Sequence, residues 1–320
     1  MDTRLTRALG AVLALCSLSA LAQSWPQRPV RVIVPFVAGG NTDSQARIVT
    51  ERLNELLGQP FVVENKVGAG GAIAAEYVVK SAPDGYTLFF GASPQFSLPL
   101  LQKVNFDPYK DFAPVSIVGT NAFVLGVHVA VPANTVKEFV DYVKARPVQL
   151  NYASAGAGTT THLTAALFLA RADLKMEAVL YKGGGPAMAD VIAGHVNCYF
   201  GNYNEILPHV GSGRVRVLAT SGARRAHQLP DVPTVAEQGY PGFRTETWNG
   251  YVAPAGTPRE IVERIAREIA AGCKDAAFAA RLDKIGVEPV CSTPAEFAQA
   301  VHDDLRLWKN AVEAAGLRLQ

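Results

Sequence analysis

The chain has little of the chemistry that metal and redox sites require. Its four cysteines are spread over 320 residues without a C-x-x-C pair, and its six histidines never stand at i, i+4 spacing. These spacings exclude the common zinc patterns. Charge of one sign is also scarce, since 30 basic and 28 acidic residues leave a net charge of +2. We therefore expect no metal, no cofactor and no nucleic-acid partner.

The N-terminus predicts a secretory signal over residues 1–22. Arg4 and Arg7 precede an apolar run that ends in Ala-Leu-Ala, a small-x-small cleavage site. The run is too short to span a bilayer as an anchor, and no later apolar run approaches that length. Cys16 lies inside the run, but Leu15 is too bulky for the position before a lipid-modified cysteine. We expect cleavage after the signal and a periplasmic protein.

Three cysteines remain after the signal. Cys273 and Cys291 bracket a predicted helix and the strand-like run after it, so they are the favoured pair in an oxidising compartment. Spacing alone leaves open whether they bridge, because a disulfide needs a specific Cβ geometry. Cys198 lies in an apolar run and is expected to be a buried free thiol.

Apolar strands and helices alternate regularly along the chain, which predicts an α/β fold. The first part has the order βαβαβ, typical of a parallel sheet with helices on both faces, and a second unit repeats the alternation. Strands are predicted over residues 30–34, 61–64, 87–90, 123–129, 150–153, 178–181, 196–200, 215–219 and 287–290. Helices are predicted over residues 42–57, through 77–79 and over 294–314, with others beginning near residues 135, 159, 186, 204 and 258.

Four short glycine-rich loops lie at residues 39–40, 68–71, 156–158 and 183–185. Each follows an apolar run and precedes a helical pattern, so bare backbone N–H groups stand at helix N-termini and can bind an anion. The carboxyl ends of parallel strands meet at one edge of a sheet, where the loops should gather. The loops therefore predict a pocket for a small carboxylate.

The glycine loops do not match the enzyme motifs that they partly resemble. The second loop begins Gly-x-Gly, but Ile73 occupies the sixth position of a dinucleotide-binding pattern, and the fourth loop lacks a following Gly-Lys-Ser/Thr. In the third loop Ala157 stands where a nucleophile elbow needs serine. No acid partner is evident for His162. A secreted hydrolase that uses Ser154 and His162 stays open as the alternative.

Polar side chains near the loops are candidates for ligand contact. Asp43 begins a predicted helix, so it either caps that helix or orients a ligand. Ser93 and Gln95 follow a strand and are placed for direct contact. The hydroxyls of residues 159–161 cap a helix and add donors for an anion. Trp248 is expected in the core or at a hinge.

Together the motifs resemble those of the Bug-type (TctC-like) extracytoplasmic solute receptors, in order over nearly the whole chain after the signal. They are Pro35-Phe36-x-x-Gly39-Gly40-x-x-Asp43, Gly68-x-Gly70-Gly71, Pro83-Asp84-Gly85-Tyr86-Thr87, Ser154-x-Gly156-x-Gly158-Thr159-x-x-His162-Leu163, Tyr181-Lys182-Gly183-Gly184-Gly185-Pro186-Ala187, Leu229-Pro230-Asp231-Val232-Pro233-Thr234 and Trp248-x-Gly250, followed by Pro254-x-Gly256-Thr257-Pro258.

The resemblance implies a two-lobed periplasmic binding protein of type II, each lobe a sheet flanked by helices, that closes on its ligand like a flytrap. Lobe one would comprise residues 23–122 and 247–320, and lobe two residues 123–246. Such a receptor is not an enzyme. It is expected to be a monomer that delivers a small organic carboxylate to a two-component membrane permease of a tripartite tricarboxylate transporter, or to signal to a membrane sensor.

The resemblance also implies a ligand site in which main-chain amides and small hydroxyls hold the carboxylate. The first and third glycine loops are expected to face each other across the ligand, with the second and fourth as supporting backbone. Asn202 stands at a variable position and is expected to tune ligand choice. The predicted ligand-binding residues are Phe36, Ala38, Gly39, Gly40, Asp43, Ser93, Gln95, Ser154, Gly156, Gly158, Thr159, His162 and Asn202.

Overall fold

A computed structural model describes residues 25–314 apart from 101 and 147–149. The predicted signal segment therefore lies outside the described residues. Two sheets flanked by helices form the molecule, one of six strands and one of five. Within the described ranges, no helix has the length and apolarity needed to cross a membrane.

The strands are β1 (Val30–Val34), β2 (Phe61–Asn65), β3 (Thr87–Ala92), β4 (Phe112–Ala122), β5 (Val124–His128), β6 (Asn151–Ser154), β7 (Glu177–Leu180), β8 (Cys198–Gly201), β9 (Val215–Thr220), β10 (Glu246–Pro254) and β11 (Glu288–Pro289). The α-helices are α1 (Asn41–Leu57), α2 (Ala72–Val79), α3 (Ser93–Ser97), α4 (Val136–Lys144), α5 (Thr160–Ala172), α6 (Gly184–Ala193), α7 (Tyr203–Val210), α8 (Arg259–Cys273), α9 (Ala276–Lys284) and α10 (Pro294–Ala314).

The larger sheet has the strand order β11-β4-β10-β3-β1-β2 and the smaller sheet the order β7-β6-β8-β5-β9. Strands β1, β2 and β3 pair in parallel, as do β6, β7 and β8. The expectation of parallel sheets is correct for these strands and wrong for the rest. Strand β10 runs antiparallel to β3 and β4, and β5 runs antiparallel to β8 and β9. Both sheets are therefore mixed.

The central strands are buried on both faces, so their successive side chains, which point to opposite sides, pack into different apolar clusters. In β1, Val32 and Val34 pack into one apolar cluster with α1 and α8, whereas Ile33 packs into another with α2 and α10. In β5, Leu125 and Val124 divide between two clusters in the same way. Continuous apolar runs were therefore the correct signal for these strands.

Two central strands escaped the sequence pattern. Strand β4 carries Pro114 and several polar residues, and β10 reads Glu-Thr-Trp-Asn-Gly before it becomes apolar. Both show register shifts where they pair with each other, which interrupts a simple period of two. Asn121 of β4 and Thr247 and Asn249 of β10 lie toward the space between the sheets, so the apolar signal is lost there.

Other boundaries differ by one or two residues. Helix α8 has Pro258 rather than Thr257 as its N-cap, because the Thr257 hydroxyl donates to the Pro254 carbonyl instead. Strand β11 spans two residues rather than residues 287–290. Helix α10 and strand β1 have the predicted bounds.

The cysteines are arranged as the sequence favoured. Cys273, the last residue of α8, forms a disulfide with Cys291, at a Cα–Cα distance of 6.2 Å. Cys198 is free and buried, and burial raises the pKa of its thiol to about 12. A thiol held neutral in this way is unreactive at physiological pH.

Candidate functional site

A cavity lies between the two sheets. Its volume is about 40 Å³. The larger-sheet half contributes residues from the first loop, α1, β10 and the β3–α3 junction, and the smaller-sheet half contributes α5, α6 and α7. The lining residues are Phe36, Gly40, Asn41, Thr42, Ala92, Pro94, Phe123, Ala155, Thr159, Thr160, Thr161, Gly184, Asn202, Glu205, Thr247 and Asn249.

The N-termini of four α-helices meet at this cavity. Gly40, Thr159 and Asn202 are the N-caps of α1, α5 and α7, and Gly184 is the first residue of α6. A helix N-terminus carries unpaired N–H groups and a partial positive charge. The convergence of four of them brings partial positive charge to the cavity without a cationic side chain. Among the described lining residues there is no lysine, arginine or histidine.

The first glycine loop is held in shape by Asp43. The Gly39 amide donates to Asp43 Oδ2 at 2.9 Å, and Arg47 and the Asn65 side chain donate to the same carboxylate. Burial raises the pKa of Asp43, but the bonds from Arg47, Gly39 and Asn65 outweigh it and lower the pKa below the usual value. Of this loop, Phe36 and Gly40 line the cavity, whereas Ala38 and Gly39 are exposed to solvent.

The third glycine loop is organised by a cluster of hydroxyls. Ser154 Oγ donates to the Gly156 carbonyl at 2.9 Å and lies within hydrogen-bond distance of the hydroxyls of Thr159 and Thr161. The Thr159 hydroxyl also donates to Gly156. In the described part of the chain, Ser154 Oγ has no histidine or carboxylate partner, so nothing activates it as a nucleophile. Thr159 lines the cavity, and Ser154 and Gly156 support it from behind.

His162 closes the same loop. The Gly158 amide donates to His162 Nδ1 at 3.2 Å, so this nitrogen is an acceptor. Burial lowers the pKa of His162, which keeps the ring neutral. Neither His162 nor Gly158 is among the residues that line the cavity.

Ser93 and Gln95 stand just behind the lining at the start of α3. Ser93 Oγ lies 3.1 Å from the hydroxyl of Thr247, which lines the cavity. Gln95 accepts a hydrogen bond from the Ala92 amide and donates one to the Gly70 carbonyl at 2.8 Å. The second glycine loop is thereby tied to α3 and does not itself line the cavity. The fourth loop differs from the expectation of a support, since Gly184 lines the cavity.

Glu205 is the one ionisable side chain among the described lining residues. It is 7 % exposed and accepts hydrogen bonds from the Asn202 backbone and side chain and from the Tyr199 hydroxyl, all on Oε2. Its other oxygen, Oε1, accepts from the Asn41 amide at 3.3 Å. Asn41 begins α1, so this bond joins the smaller-sheet half to the larger-sheet half.

Further hydrogen bonds cross the cavity walls. The Asn41 side chain donates to Asn121, whose own amide donates to Asn202 at 2.7 Å. Thr160 Oγ1 donates to Thr247 Oγ1 across the two halves at 3.4 Å. These side chains are uncharged, so the hydrogen bonds between the two halves bury no ion pair.

Sequence reasoning missed several lining residues on both sides of the cavity. Glu205 stands three residues after Asn202 and before an apolar run. This is the capping-box spacing, which predicts that both side chains lie at the start of a helix. Thr247 and Asn249 share a face of β10 at i, i+2 spacing, but β10 itself was not predicted. Asn41 and Thr42 stand between the predicted residues Gly40 and Asp43.

Comparison with known proteins identifies this architecture. Residues 45–317 match the family model described as "Tripartite tricarboxylate transporter family receptor" (TctC). The chain belongs to this receptor family. The TctC family consists of solute-binding receptors rather than enzymes, so both the predicted resemblance and the absence of catalysis are confirmed at the level of the family.

Individual relatives agree with the family match. Protein BugT of Bordetella pertussis is 34 % identical over 323 residues, covering 99 % of each chain. A Rhodopseudomonas palustris structure, Rpa4515 with adipate, has a TM-score of 0.90 and 34 % identity, covering 93 % of this chain and 100 % of its own. MatC from the same species, with bound malate, has a TM-score of 0.85 and 32 % identity, covering 90 % and 100 %. The predicted two-lobed α/β fold is confirmed by these structures.

Proposed function

We propose that the chain is a periplasmic receptor that binds a small organic carboxylate in the cavity between its two lobes. The observation that carries this proposal is the meeting of four helix N-termini at one cavity whose described lining offers no cationic side chain. Main-chain amides at such ends bind carboxylates without a charged partner. The adipate and malate in the two R. palustris relatives support the same ligand class.

The predicted ligand-binding residues enter the proposal in two groups. Phe36, Gly40, Thr159 and Asn202 line the cavity, so we propose that they touch the ligand. The others hold those residues in place through the bonds described above. They are Gly39, Asp43, Ser93, Gln95, Ser154, Gly156, Gly158 and His162, whereas Ala38 is exposed to solvent and stays a prediction.

Lobe boundaries and closure are part of the proposal. The chain passes between the sheets at Phe123 and again in the segment from Ser221 to Thr245. Ser221 joins these crossings, because its hydroxyl accepts from the Phe123 amide and donates to the Thr245 carbonyl at 2.7 Å. We propose lobes of residues 23–122 with 247–320, and of 123–246, that rotate about these crossings when ligand binds.

Ligand binding is tested by calorimetry on the exported protein against adipate, malate, citrate, aromatic acids and acidic amino acids. We expect at least one to bind and to reduce the radius of gyration in small-angle scattering. Thr160→Val removes a lining hydroxyl and should weaken binding about 10- to 100-fold, the value of a hydrogen bond to a charged group. Thr164→Val is the matched control, since Thr164 is buried on the same helix away from the lining. Absence of binding by every acid tested would refute the proposal.

Delivery to a two-component membrane permease is the partner we propose, on the strength of the family's transporter association. Uptake of the radiolabelled ligand should fall to background when the gene for this chain is deleted and should return with the wild-type gene. A strain that lacks this chain and takes up the ligand normally would instead favour delivery to a sensor.

A further inference from the structure

Glu205 places a negative charge in a cavity built for anions. Both of its oxygens accept hydrogen bonds, from four donors in all: the Asn202 amide, the Asn202 side chain, the Tyr199 hydroxyl and the Asn41 amide. The three N–H groups can only donate, so a protonated carboxyl group would have to donate its proton to the Tyr199 hydroxyl, which can also accept. These donors favour the ionised form, whereas burial opposes it.

Glycines from both halves of the molecule leave room for this carboxylate. A Cβ on Gly184 would lie 2.0 Å from Glu205 Oε1, and a Cβ on Gly40 would lie 3.8 Å from the same atom. Oε1 thus lies against glycine backbone at the starts of α6 and α1, and it accepts a single hydrogen bond. Its position is fixed by packing and is not that of a solvated side chain.

A buried carboxylate normally has a cationic partner or a metal. Burial raises the pKa of Glu205 despite its four donors, so the protein alone does not fully compensate the ionised form. No salt bridge involves Glu205 among the described residues, and the described lining holds no cation. A cation supplied by the ligand would compensate it.

Asn41 and Asn249 add a second, independent observation. Asn41 Oδ1, an acceptor, and Asn249 Nδ2, a donor, are buried and have no hydrogen-bond partner within the described residues. Both residues line the cavity. Buried polar groups without partners call for an explanation, and an occupant that both donates and accepts supplies it.

We propose that Glu205 is a specificity-determining residue that binds a protonated nitrogen of the ligand, so that the ligand is an amino- or other nitrogen-bearing carboxylate. This inference rests on the proposed function and refines it. The nitrogen donates to Glu205 Oε1 and Asn41 Oδ1, while the ligand carboxylate accepts from Asn249 Nδ2 and the N-terminal amides of α5. A simple dicarboxylate places like charge beside Glu205 and is disfavoured.

The test uses matched pairs of probes that differ by one amino group: 2-aminoadipate with adipate, aspartate with succinate, and 4-aminobutyrate with butyrate. Calorimetry on the exported wild-type protein should show at least tenfold tighter binding of the amino member in every pair that binds. Glu205→Gln should bring that ratio to within threefold of one. Glu177→Gln, which removes an exposed acid of β7, should leave the ratio unchanged.

Three outcomes overturn the inference. Equal or tighter binding of the amine-free members by the wild type does so while leaving the proposed function intact. A preference for the amino members that survives in Glu205→Gln removes the role of Glu205. Absence of binding by every acid refutes the proposed function as well. If Glu205→Gln fails to fold, as judged by circular dichroism, the wild-type ratios alone decide.

Discussion

Replacement of Asp43 by alanine separates loop support from ligand contact in the first glycine loop. The Asp43 side chain in its ion pair is 2 % exposed and accepts hydrogen bonds from Gly39, Asn65 and Arg47. Bonds to a charged group contribute about 1.5–3 kcal/mol each. The Arg47 side chain is 52 % exposed, so its contribution is reduced to that of a surface pair. We expect Asp43→Ala to lower the free energy of unfolding by about 3 kcal/mol.

Urea denaturation at several pH values measures this loss. The pKa of Asp43 is lowered in the folded state, so its stabilisation is present above the unfolded pKa of about 4 and lost as the pH falls through the folded value. The difference in unfolding free energy between wild type and Asp43→Ala should shrink as the pH falls through the same window. All carboxylates should bind more weakly by a similar factor, because the loop is loosened. Unchanged stability with a tenfold loss for one ligand alone would refute the loop-support role.

Three further changes have defined outcomes. Burial raises the pKa of Asp304 to about 6, so the ionisation of this side chain destabilises the fold as the pH rises from about 4 to 6. Asp304→Asn removes this ionisation. The variant should therefore add up to about 3 kcal/mol to the free energy of unfolding at pH 7, measured by thermal unfolding, and should flatten the pH dependence between about 4 and 6. The double variant Cys273→Ser/Cys291→Ser lacks the disulfide that links residues 18 apart, so its unfolded chain is less constrained. The free energy of unfolding measured in urea should fall by about 3 kcal/mol. Gly184→Ala should weaken carboxylate binding at least tenfold in calorimetry by displacing Glu205, whereas Gly185→Ala should not.

Each change has an outcome that contradicts its reasoning. Asp231→Asn removes an exposed acid and should leave the pH profile unchanged; a stability profile of Asp304→Asn that still falls between pH 4 and 6 would assign that dependence elsewhere. A double cysteine variant as stable as the wild type would mean that the bridge does not constrain the unfolded chain. Equal affinities for the two glycine variants would remove the packing argument around Glu205.

Sequence alone predicted the elements that rest on continuous apolar patterns. Strand β1 is buried on both faces and helix α10 begins at a proline, so both were found with their full bounds. Strands β4 and β10 were missed because Asn121 in β4 and Thr247 and Asn249 in β10 lie between the two sheets and interrupt the apolar signal. Trp248, between those two, lies in the core, with its ring 5.0 Å from that of Phe297. A single strand can therefore serve the core and the site on alternate residues, and no local pattern reveals which face does which.

The placement of the glycine loops at helix N-termini was predictable because it depends on local chain conformation, which glycines and helix-start patterns indicate. Selectivity depends on which side chains from distant parts of the chain meet. Glu205 and Asn41 are 164 residues apart and are joined by one hydrogen bond across the cavity. Nothing near either residue indicates the other. If the ligand carries a protonated nitrogen, Glu205 and Asn41 are the residues that bind it. Related chains with the same helix N-termini but without an acid at position 205 should prefer ligands that lack a protonated nitrogen.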